Sequence, residues 1–361
     1  MKFFKIIDRY IIGKFLGTFS FTIMLIVLIA VIFDLTEKVD DIFEKDIPVS
    51  ELVMDYYVNF IPYFANLFTP LFVFIAAVFF TSRMASRTEI VAILSSGVSF
   101  GRLLRPYIFS AALIGLMSFL LNSFVIPRAN AQRLKFEYKY LKYNWKRNYN
   151  NLHRQISPGT FIYLDTYTKS TKTGYRFTIE KLQDRKMLYK LSSDYLKWDS
   201  IGQKWTLENY VFRKFNGKNE SIKIGATLDT TFNFKPADFD IADDDVEMMN
   251  IFELNGFIER ERSKGSEFID YYVLEKHRRL ANPVANIILT LIAVAMASRK
   301  VRGGIGMHIG IGIGISFSYI MLMQLSSVFA TEGGLNSAIA AWMPNFLFLI
   351  LAVYLLQKAP K

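Results

Sequence analysis

Residues 15–33 read FLGTFSFTIMLIVLIAVIF, and this stretch decides the class of fold. Thirteen of its nineteen residues are Phe, Leu, Ile or Val, and none is charged. Each of those thirteen favours membrane insertion by about 0.3–0.6 kcal/mol, so the stretch favours insertion by roughly 4–8 kcal/mol. A cleaved signal peptide has an apolar core of only about 7–15 residues and then small residues, whereas this run continues until Asp34. The stretch therefore predicts a membrane span.

Five further stretches lack any charged residue and are long enough to cross a bilayer, since roughly 20 helical residues span a hydrocarbon core of about 30 Å. They are residues 56–82, 106–127, 280–298, 303–331 and 333–357. The whole chain of 361 residues is 52% hydrophobic, which is too apolar for an ordinary soluble domain. We expect six transmembrane helices, with a long polar insertion between the third and the fourth.

Basic residues close to the spans predict the orientation, because short loops rich in Lys and Arg remain in the cytoplasm. The N-terminal tail has four basic residues against the single acid Asp8, and loop 83–105 has four arginines against Glu89. The loop after the fourth span also contains Arg299, Lys300 and Arg302. Loop 34–55 carries eight acids, so it faces outward. Both termini are thus predicted in the cytoplasm and residues 128–279 on the outer side.

The insertion changes from helix to strand along its length. Residues 128–149 predict a helix that continues the third span. Aromatic and β-branched runs then predict strands at 160–167, 175–182, 187–198, 204–215, 221–228 and 230–234. Asn216-Gly217 is a hairpin signal, and a sandwich or an open barrel of at most eight strands fits the pattern. Asn250 and Glu253 then predict the start of an amphipathic helix that ends near Gly265.

Composition and motifs exclude several classes of function. The net charge of +11 comes mainly from residues 128–279. These basic residues either bind an anionic partner such as a phosphorylated lipid or simply form a solvated surface. The cytoplasmic loops are too short to bind nucleic acid. The absence of cysteine excludes thiol chemistry and Cys-based metal sites. The nucleotide motif G-x-x-x-x-G-K-[ST] is absent, so ATP would be used by a partner. Residues 97–101 match G-x-S-x-G but lack the strand that a hydrolase elbow requires. We predict no catalytic residue, no metal and no bound cofactor.

A short amphipathic helix is predicted at about residues 86–97, in the only sizeable cytoplasmic loop. Ser86 and Glu89 have capping-box spacing, and Gly97 suits the position after a helix end. The apolar residues Ile90, Ile93 and Leu94 share one face. The helix either lies flat at the membrane interface or docks into a cytoplasmic ATPase.

Two further groups of residues have alternative interpretations. Small residues recur every four positions in the fifth span, at Gly306, Gly310, Gly314 and Ser318. Such a face lets another helix approach closely, either within the chain, at a subunit interface or in a moving gate. Lys38 and Lys45, after the first span, either meet a lipid phosphate or pair with neighbouring acids.

The chain resembles the LptF/LptG permeases of the lipopolysaccharide exporter, also called the YjgP/YjgQ family. The resemblance covers essentially the whole chain and rests on five segments in order around the six spans. They are residues 7–11 (IDRYI), 88–99 (TEIVAILSSGVS), 126–127 (IP), 278–283 (RRLANP) and 341–345 (AWMPN). The last of these is slightly closer to LptG.

The resemblance implies a permease subunit in the bacterial inner membrane, with residues 1–127 forming spans one to three and residues 280–361 forming spans four to six. Residues 128–279 would be a periplasmic domain similar to a β-jellyroll, with flanking helices. The implied partners are a cytoplasmic LptB-like ATPase dimer, a second LptF/LptG-like permease, LptC/LptA-like periplasmic bridge proteins and lipopolysaccharide. The resemblance also assigns Glu89 to the coupling helix. Lys38 and Lys45 correspond only loosely to the family's lipid-contacting lysines.

Two other functions are compatible with the residues. An integral-membrane enzyme could modify an envelope lipid with carboxylates such as Asp34 or Glu37, although no span contains a cluster of acid, base and metal ligands. A passive membrane scaffold is the third reading. Copurification of an ATPase would separate a transporter from both.

Overall fold

A computed structural model describes residues 5–141, 148–168, 171–183, 186–217, 219–236, 239, 246–266, 268–299 and 304–359. Six of its helices are long and apolar enough to cross a membrane, which confirms the predicted number of spans. The helices are α1 (Ile6–Glu44), α2 (Val49–Ser86), α3 (Glu89–Ser95), α4 (Phe100–Leu141), α5 (Ile251–Lys264), α6 (Ile269–Ala297), α7 (Gly304–Thr331) and α8 (Ser337–Gln357). All except α3 and α5 are candidate spans.

The chain divides into two compact units. The helical unit comprises Met1–Leu141, Met248–Ile251 and Asp270–Lys361, and the β unit comprises Lys142–Glu247 and Phe252–Ile269. The third span continues beyond its apolar stretch as far as Leu141 through α4, which contains π-helical turns at Leu121–Val125 and Glu137–Leu141. The predicted extension of this helix to residue 149 is wrong at its end, because residues 148–149 belong to a strand.

The core of the helical unit lies between α2, α4 and α6. Small residues such as Ala76, Ala77 and Ala293 are fully buried there and let the helices approach closely. At Gly115 a Cβ atom would lie 2.8 Å from the carbonyl oxygen of Pro283, so the backbones of α4 and α6 touch at this point. By contrast, α1 buries only Asp8, Ile11 and Phe15, and its apolar middle is exposed.

The β unit contains one antiparallel sheet whose six described strands pair in chain order, β1 to β6. They are β1 (Asn148–Ser157), β2 (Thr160–Thr168), β3 (Thr173–Gln183), β4 (Lys186–Asp199), β5 (Lys204–Asn216) and β6 (Asn219–Thr230). The predicted Asn216-Gly217 hairpin is confirmed, since Asn216 pairs with Asn219 and Gly217 has a φ of +68°. The separate strand predicted at 230–234 is wrong, because β6 ends at Thr230 and residues 231–235 are not a strand.

Aromatic residues fill the inner face of the sheet. Trp205 is fully buried, and its indole Nε1 donates a hydrogen bond of 3.0 Å to the carbonyl oxygen of Phe234. Phe232, Phe234 and Phe239 follow the last strand and pack against Phe177 and Trp205. The segment after β6 therefore covers the buried side chains on the inner face of the sheet.

The amphipathic helix after the sheet forms as predicted. Helix α5 begins at Ile251, directly after Asn250, and buries Leu254, Phe257 and Ile258 at helical spacing. Gly265 follows its last residue with a φ of +75°, a conformation that glycine adopts without a Cβ clash.

Candidate functional site

Helix α3 occupies the loop between the second and third spans, where the sequence predicts a coupling helix. It runs from Glu89 to Ser95, shorter than the predicted 86–97. The predicted capping box is wrong, because Ser86 ends α2 and its hydroxyl donates to the carbonyl oxygen of Arg83. Thr88 precedes the helix with a φ of +59° and makes no side-chain cap. Gly97 takes the expected left-handed conformation, with a φ of +83°.

The apolar residues of α3 attach the helix to the spans of the same chain. Ile90 is buried in the core of the helical unit, to which Met84 and Ala85 also belong, and Ile93 and Leu94 pack against that core. Val91 points away and is 58% exposed. The helix is therefore seated on the bundle by the three residues predicted as its apolar face, and its outer surface is formed by other residues.

The carboxylate of Glu89 contacts the first span. The hydroxyl of Tyr10, one turn from the start of α1, donates to Glu89 Oε2 at 3.2 Å. The Tyr10 ring also packs edge-on against Phe80 of α2, with ring centroids 6.3 Å apart. The first residue of α3 is thus joined to α1 by a side-chain hydrogen bond between residues far apart in the chain.

A second contact joins α1 to the start of α4. The guanidinium of Arg102 donates from Nη1 to Asp8 Oδ1 at 2.7 Å and from Nη2 to Asp8 Oδ2 at 2.6 Å. Asp8 is only 3% exposed, and its Oδ2 also accepts the backbone N–H of Lys5 at 2.8 Å. Ser99 caps α4 by accepting from the N–H of Arg102 at 3.3 Å. Bidentate pairing of this kind fixes direction as well as distance.

The sequence reasoning missed Asp8, Tyr10 and Arg102 as members of this site. A usable signal existed, because Asp8 and Glu89 are the single acids in two otherwise basic segments. Both of these acids bond to a side chain on another helix. The site therefore consists of α3 and the first turn of α4, which are both bonded to α1, Glu89 by Tyr10 and Arg102 by Asp8.

A family model described as "Lipopolysaccharide export system permease LptF/LptG" matches residues 9–358, which is nearly the whole chain. The chain belongs to the LptF/LptG family. No curated protein sequence matches the chain significantly. The family consists of permease subunits of the lipopolysaccharide export system, and its model describes LptF and LptG together, so the closer resemblance to LptG stays a prediction.

The two lysines compared with the lipid-contacting lysines of the LptF/LptG family both have acidic partners. Lys38 contacts Asp34 Oδ1 and the hydroxyl of Tyr56, and its Nζ lies 4.6 Å from the centre of the Tyr56 ring. Lys45 Nζ lies 2.8 Å from Asp41 Oδ1. A lipid phosphate at either position would have to replace or join these carboxylates.

The small residues of α7 form a stripe on an open face of the helix. A Cβ atom at Gly306, Gly310 or Gly314 would meet nothing within 4 Å among the described residues, and Ser318 is exposed. Gly312 lies on the other side, where a Cβ would come within 2.9 Å of Phe74. Close packing of α7 inside the chain therefore uses Gly312, which the sequence reasoning did not single out.

Residues 341–345, one of the segments that carry the family resemblance, form a polar junction between three spans. Pro344 has no N–H to donate to the carbonyl oxygen of Ala340, and the hydroxyl of Ser326 on α7 donates to that oxygen instead. Asn345 accepts from Tyr319 at 2.8 Å and donates to the carbonyl oxygen of Ala281 at 2.8 Å. These bonds join the three candidate spans α6, α7 and α8.

Proposed function

We propose that this chain is one permease subunit of an ATP-driven exporter that extracts lipopolysaccharide from the inner membrane and passes it to a periplasmic bridge. The observation that carries the proposal is the family match over residues 9–358. The chain contains no G-x-x-x-x-G-K-[ST] motif, so the proposal assigns ATP hydrolysis to a cytoplasmic LptB-like dimer.

Helix α3 is the proposed contact with that ATPase. Its burial of Ile90 and the capping of α4 by Ser99 support a rigid loop, which a lever requires. Its outer surface, with Val91 and the half-buried Glu89, would meet the partner. The same carboxylate contacts Tyr10, so a partner that displaces Glu89 would act on the first span as well.

A second LptF/LptG-like permease is the proposed neighbour of α1 and α7. Both helices expose large apolar side chains, such as Met24 and Phe33 on α1 and Phe317 and Met321 on α7. Lipid can cover such side chains, but the stripe Gly306, Gly310, Gly314 and Ser318 suits a close helix partner, because small residues let two backbones approach. This supports a subunit interface or a moving gate at α7.

The β unit is the proposed route toward the bridge proteins. Among the described strands, β1 and β6 lie at the edges of the sheet, and β6 is exposed along most of its length. An unpaired edge can bind a strand of another protein through main-chain hydrogen bonds, which would suit an LptC/LptA-like partner. The inner face would receive acyl chains only after Phe232 and Phe234 move, since they occupy it here.

Purification in mild detergent followed by reconstitution tests the function. We expect an ATPase and a second permease to copurify with the chain, and lipopolysaccharide to leave proteoliposomes for a periplasmic acceptor only with ATP. Chemical change of the lipid without ATP would instead support an integral-membrane enzyme. If the chain binds neither an ATPase nor lipid, the result would support a passive membrane scaffold.

Orientation can be tested with single cysteines, because the chain has none of its own. Cysteine at the exposed Asn216 should react with an impermeant thiol reagent in spheroplasts, while cysteine at the exposed Ser96 should react only after the membrane is opened. The basic loops predict this result. The opposite labelling pattern would reverse the topology and remove α3 from the cytoplasm.

The charge of Glu89 can be separated from its contact with Tyr10. Glu89→Gln keeps an oxygen that can accept from Tyr10 but removes the charge, whereas Tyr10→Phe removes the hydroxyl and keeps the charge. A hydrogen bond to a charged partner is worth about 1.5–3 kcal/mol, so Glu89→Gln should weaken ATPase association by about ten-fold or more. Tyr10→Phe should leave association near the parental level. Equal association in the parent and in Glu89→Gln would refute a charge-based contact.

A further inference from the structure

Asp8 and Arg102 form a bidentate pair that the proposed contact between Glu89 and the ATPase does not use. Asp8 is almost fully buried. By contrast, the described basic residues of the N-terminal segment are exposed, namely Lys5, Arg9 and Lys14. The Asp8 carboxylate accepts three hydrogen bonds, two from Arg102 and one from the backbone of Lys5. Removing one partner of such a pair leaves a buried charge without compensation, so the contact resists separation.

The pair and the Tyr10–Glu89 hydrogen bond hold α1 from two sides. Residues two apart on an α-helix point in directions about 200° from each other, since each residue turns the helix by about 100°. Asp8 is held by Arg102, at the first turn of α4, while Tyr10 is held by Glu89, the first residue of α3. Glu89, near the start of the loop between α2 and α4, therefore contacts one face of α1. Arg102, just after the end of that loop, contacts the opposite face.

Only the N-terminal end of α1 is anchored by buried side chains. Besides Asp8, the buried residues of α1 are Ile11 and Phe15, one and two turns further along. Ile11 and Phe15 pack in the core of the helical unit, and the Phe15 ring lies 5.7 Å from that of Tyr107 on α4. A displacement of the first turn of α4 therefore reaches α1 through a rigid ion pair at its end and two apolar contacts behind it.

We infer that Asp8 and Arg102 are a positioning pair, which carries movement of the loop between α2 and α4 into the first span. The inference rests on the proposed function, because it assumes that an ATPase moves this loop. Neither residue contacts lipid or nucleotide in this role. Arg102 suits it better than lysine would, because its planar fork holds both carboxylate oxygens at once, whereas an ammonium group is a point charge that can swivel.

The test measures lipid released per ATP hydrolysed by the purified complex. Asp8→Ala and Arg102→Ala should keep ATPase association and hydrolysis but lower lipid release per ATP by about ten-fold, within the usual range of coupling between two sites. The exchanged variant Asp8→Arg with Arg102→Asp should recover most of the loss. Lys14→Ala, which removes an exposed charge from the same helix, should match the parent.

A second readout follows α1 directly. A fluorophore on the single cysteine of Ser20→Cys, an exposed position on α1 beyond Phe15, should report a change when ATP and vanadate trap the ATPase. Arg102→Ala should abolish this change, and Arg102→Lys should reduce it. Arg102→Lys also serves if the alanine variants fail to fold, since it keeps the charge and loses only the two-pronged geometry.

The outcomes separate the inference from the proposed function. If the parent complex releases no lipid with ATP, the proposed function fails. If the parent releases lipid and Arg102→Ala or Arg102→Lys matches it in release per ATP and in the signal from α1, only the positioning role is overturned. An exchanged variant as defective as the single variants would also overturn it.

Discussion

Trp205→Ala should destabilise the β unit by about 3–5 kcal/mol, the usual cost of removing a large aromatic side chain from a packed core. Trp205 is fully buried and contacts the rings of Trp198, Phe234 and Phe239, with centroids 4.9, 5.6 and 5.7 Å away. Its indole N–H also bonds the carbonyl oxygen of Phe234. The substitution therefore leaves a cavity and an unpaired buried carbonyl where the segment after β6 covers the sheet.

Hydrogen exchange of the full-length protein in detergent measures this effect strand by strand. Peptides from β3 to β5 should lose protection in Trp205→Ala, while peptides from α2 and α6 should exchange as in the parent because the helices form a separate unit. Trp205→Phe should fall between the two, since it keeps most of the volume and loses the hydrogen bond. Ile201→Ala, at an almost fully exposed position in the turn before β5, is the matched control. Parental protection of the strands in Trp205→Ala would mean that the aromatic core does not hold the sheet.

The positions of the spans could be predicted from the sequence because membrane insertion depends on local composition. A stretch of about twenty apolar residues inserts into the membrane because of its own composition, and contacts with distant parts of the chain change this little. The prediction failed where the chain turns from one structure to another. Ser86 has the spacing of a helix cap, but α2 continues as far as Ser86 because Met84 and Ala85, in its last turn, are buried in the core. Ser86 therefore ends one helix instead of beginning the next.

The sheet shows a second limit of sequence periodicity. In each of β2 to β5 two consecutive residues that are not buried lie between buried ones, which breaks the alternation of inner and outer side chains. The breaks line up, since Thr166 pairs with Tyr175, Tyr175 with Tyr195, and Tyr195 with Glu208. Arg176 and Asn209 have positive φ angles beside them. From the sequence, a break in the alternation of a single strand cannot be told from random variation. Only the strand pairing shows that the four breaks lie side by side across the sheet.

The candidate site illustrates the same difference. The sequence predicted a short helix at about residues 86–97 that contains Glu89, because helix formation depends on neighbours a few residues away, and the structure has a shorter helix there, from Glu89 to Ser95. It could not predict what the carboxylate meets, because Tyr10 lies 79 residues earlier. Arg102 and Asp8 are 94 residues apart, and their pairing depends on the packing of α1 between α2 and α4. Charge balance marked these acids as unusual, and the fold supplied their partners.

Gly314→Leu and Gly312→Leu should fail in opposite ways, which would separate packing between subunits from packing within the chain. At Gly312 a Cβ would lie 2.9 Å from Phe74 and 3.4 Å from Val78, so leucine overpacks the interface of α7 with α2 at a cost of about 1–3 kcal/mol. At Gly314 a Cβ meets nothing within 4 Å among the described residues, so leucine fits the chain alone. Leucine is also the better helix former, by about 0.8 kcal/mol, so a defect at Gly314 cannot come from a weakened helix.

Thermal stability of the purified chain and recovery of the second permease measure the two effects. Gly312→Leu should lower the melting temperature of the chain by itself. Gly314→Leu should leave it at or above the parental value and reduce recovery of the partner permease by about ten-fold or more, because a bulky side chain separates helices that small residues bring together. Gly310→Leu should behave like Gly314→Leu, since the two lie one turn apart on the same open face. Normal recovery of the partner with both of these variants would move the subunit interface away from the stripe and leave lipid as its neighbour.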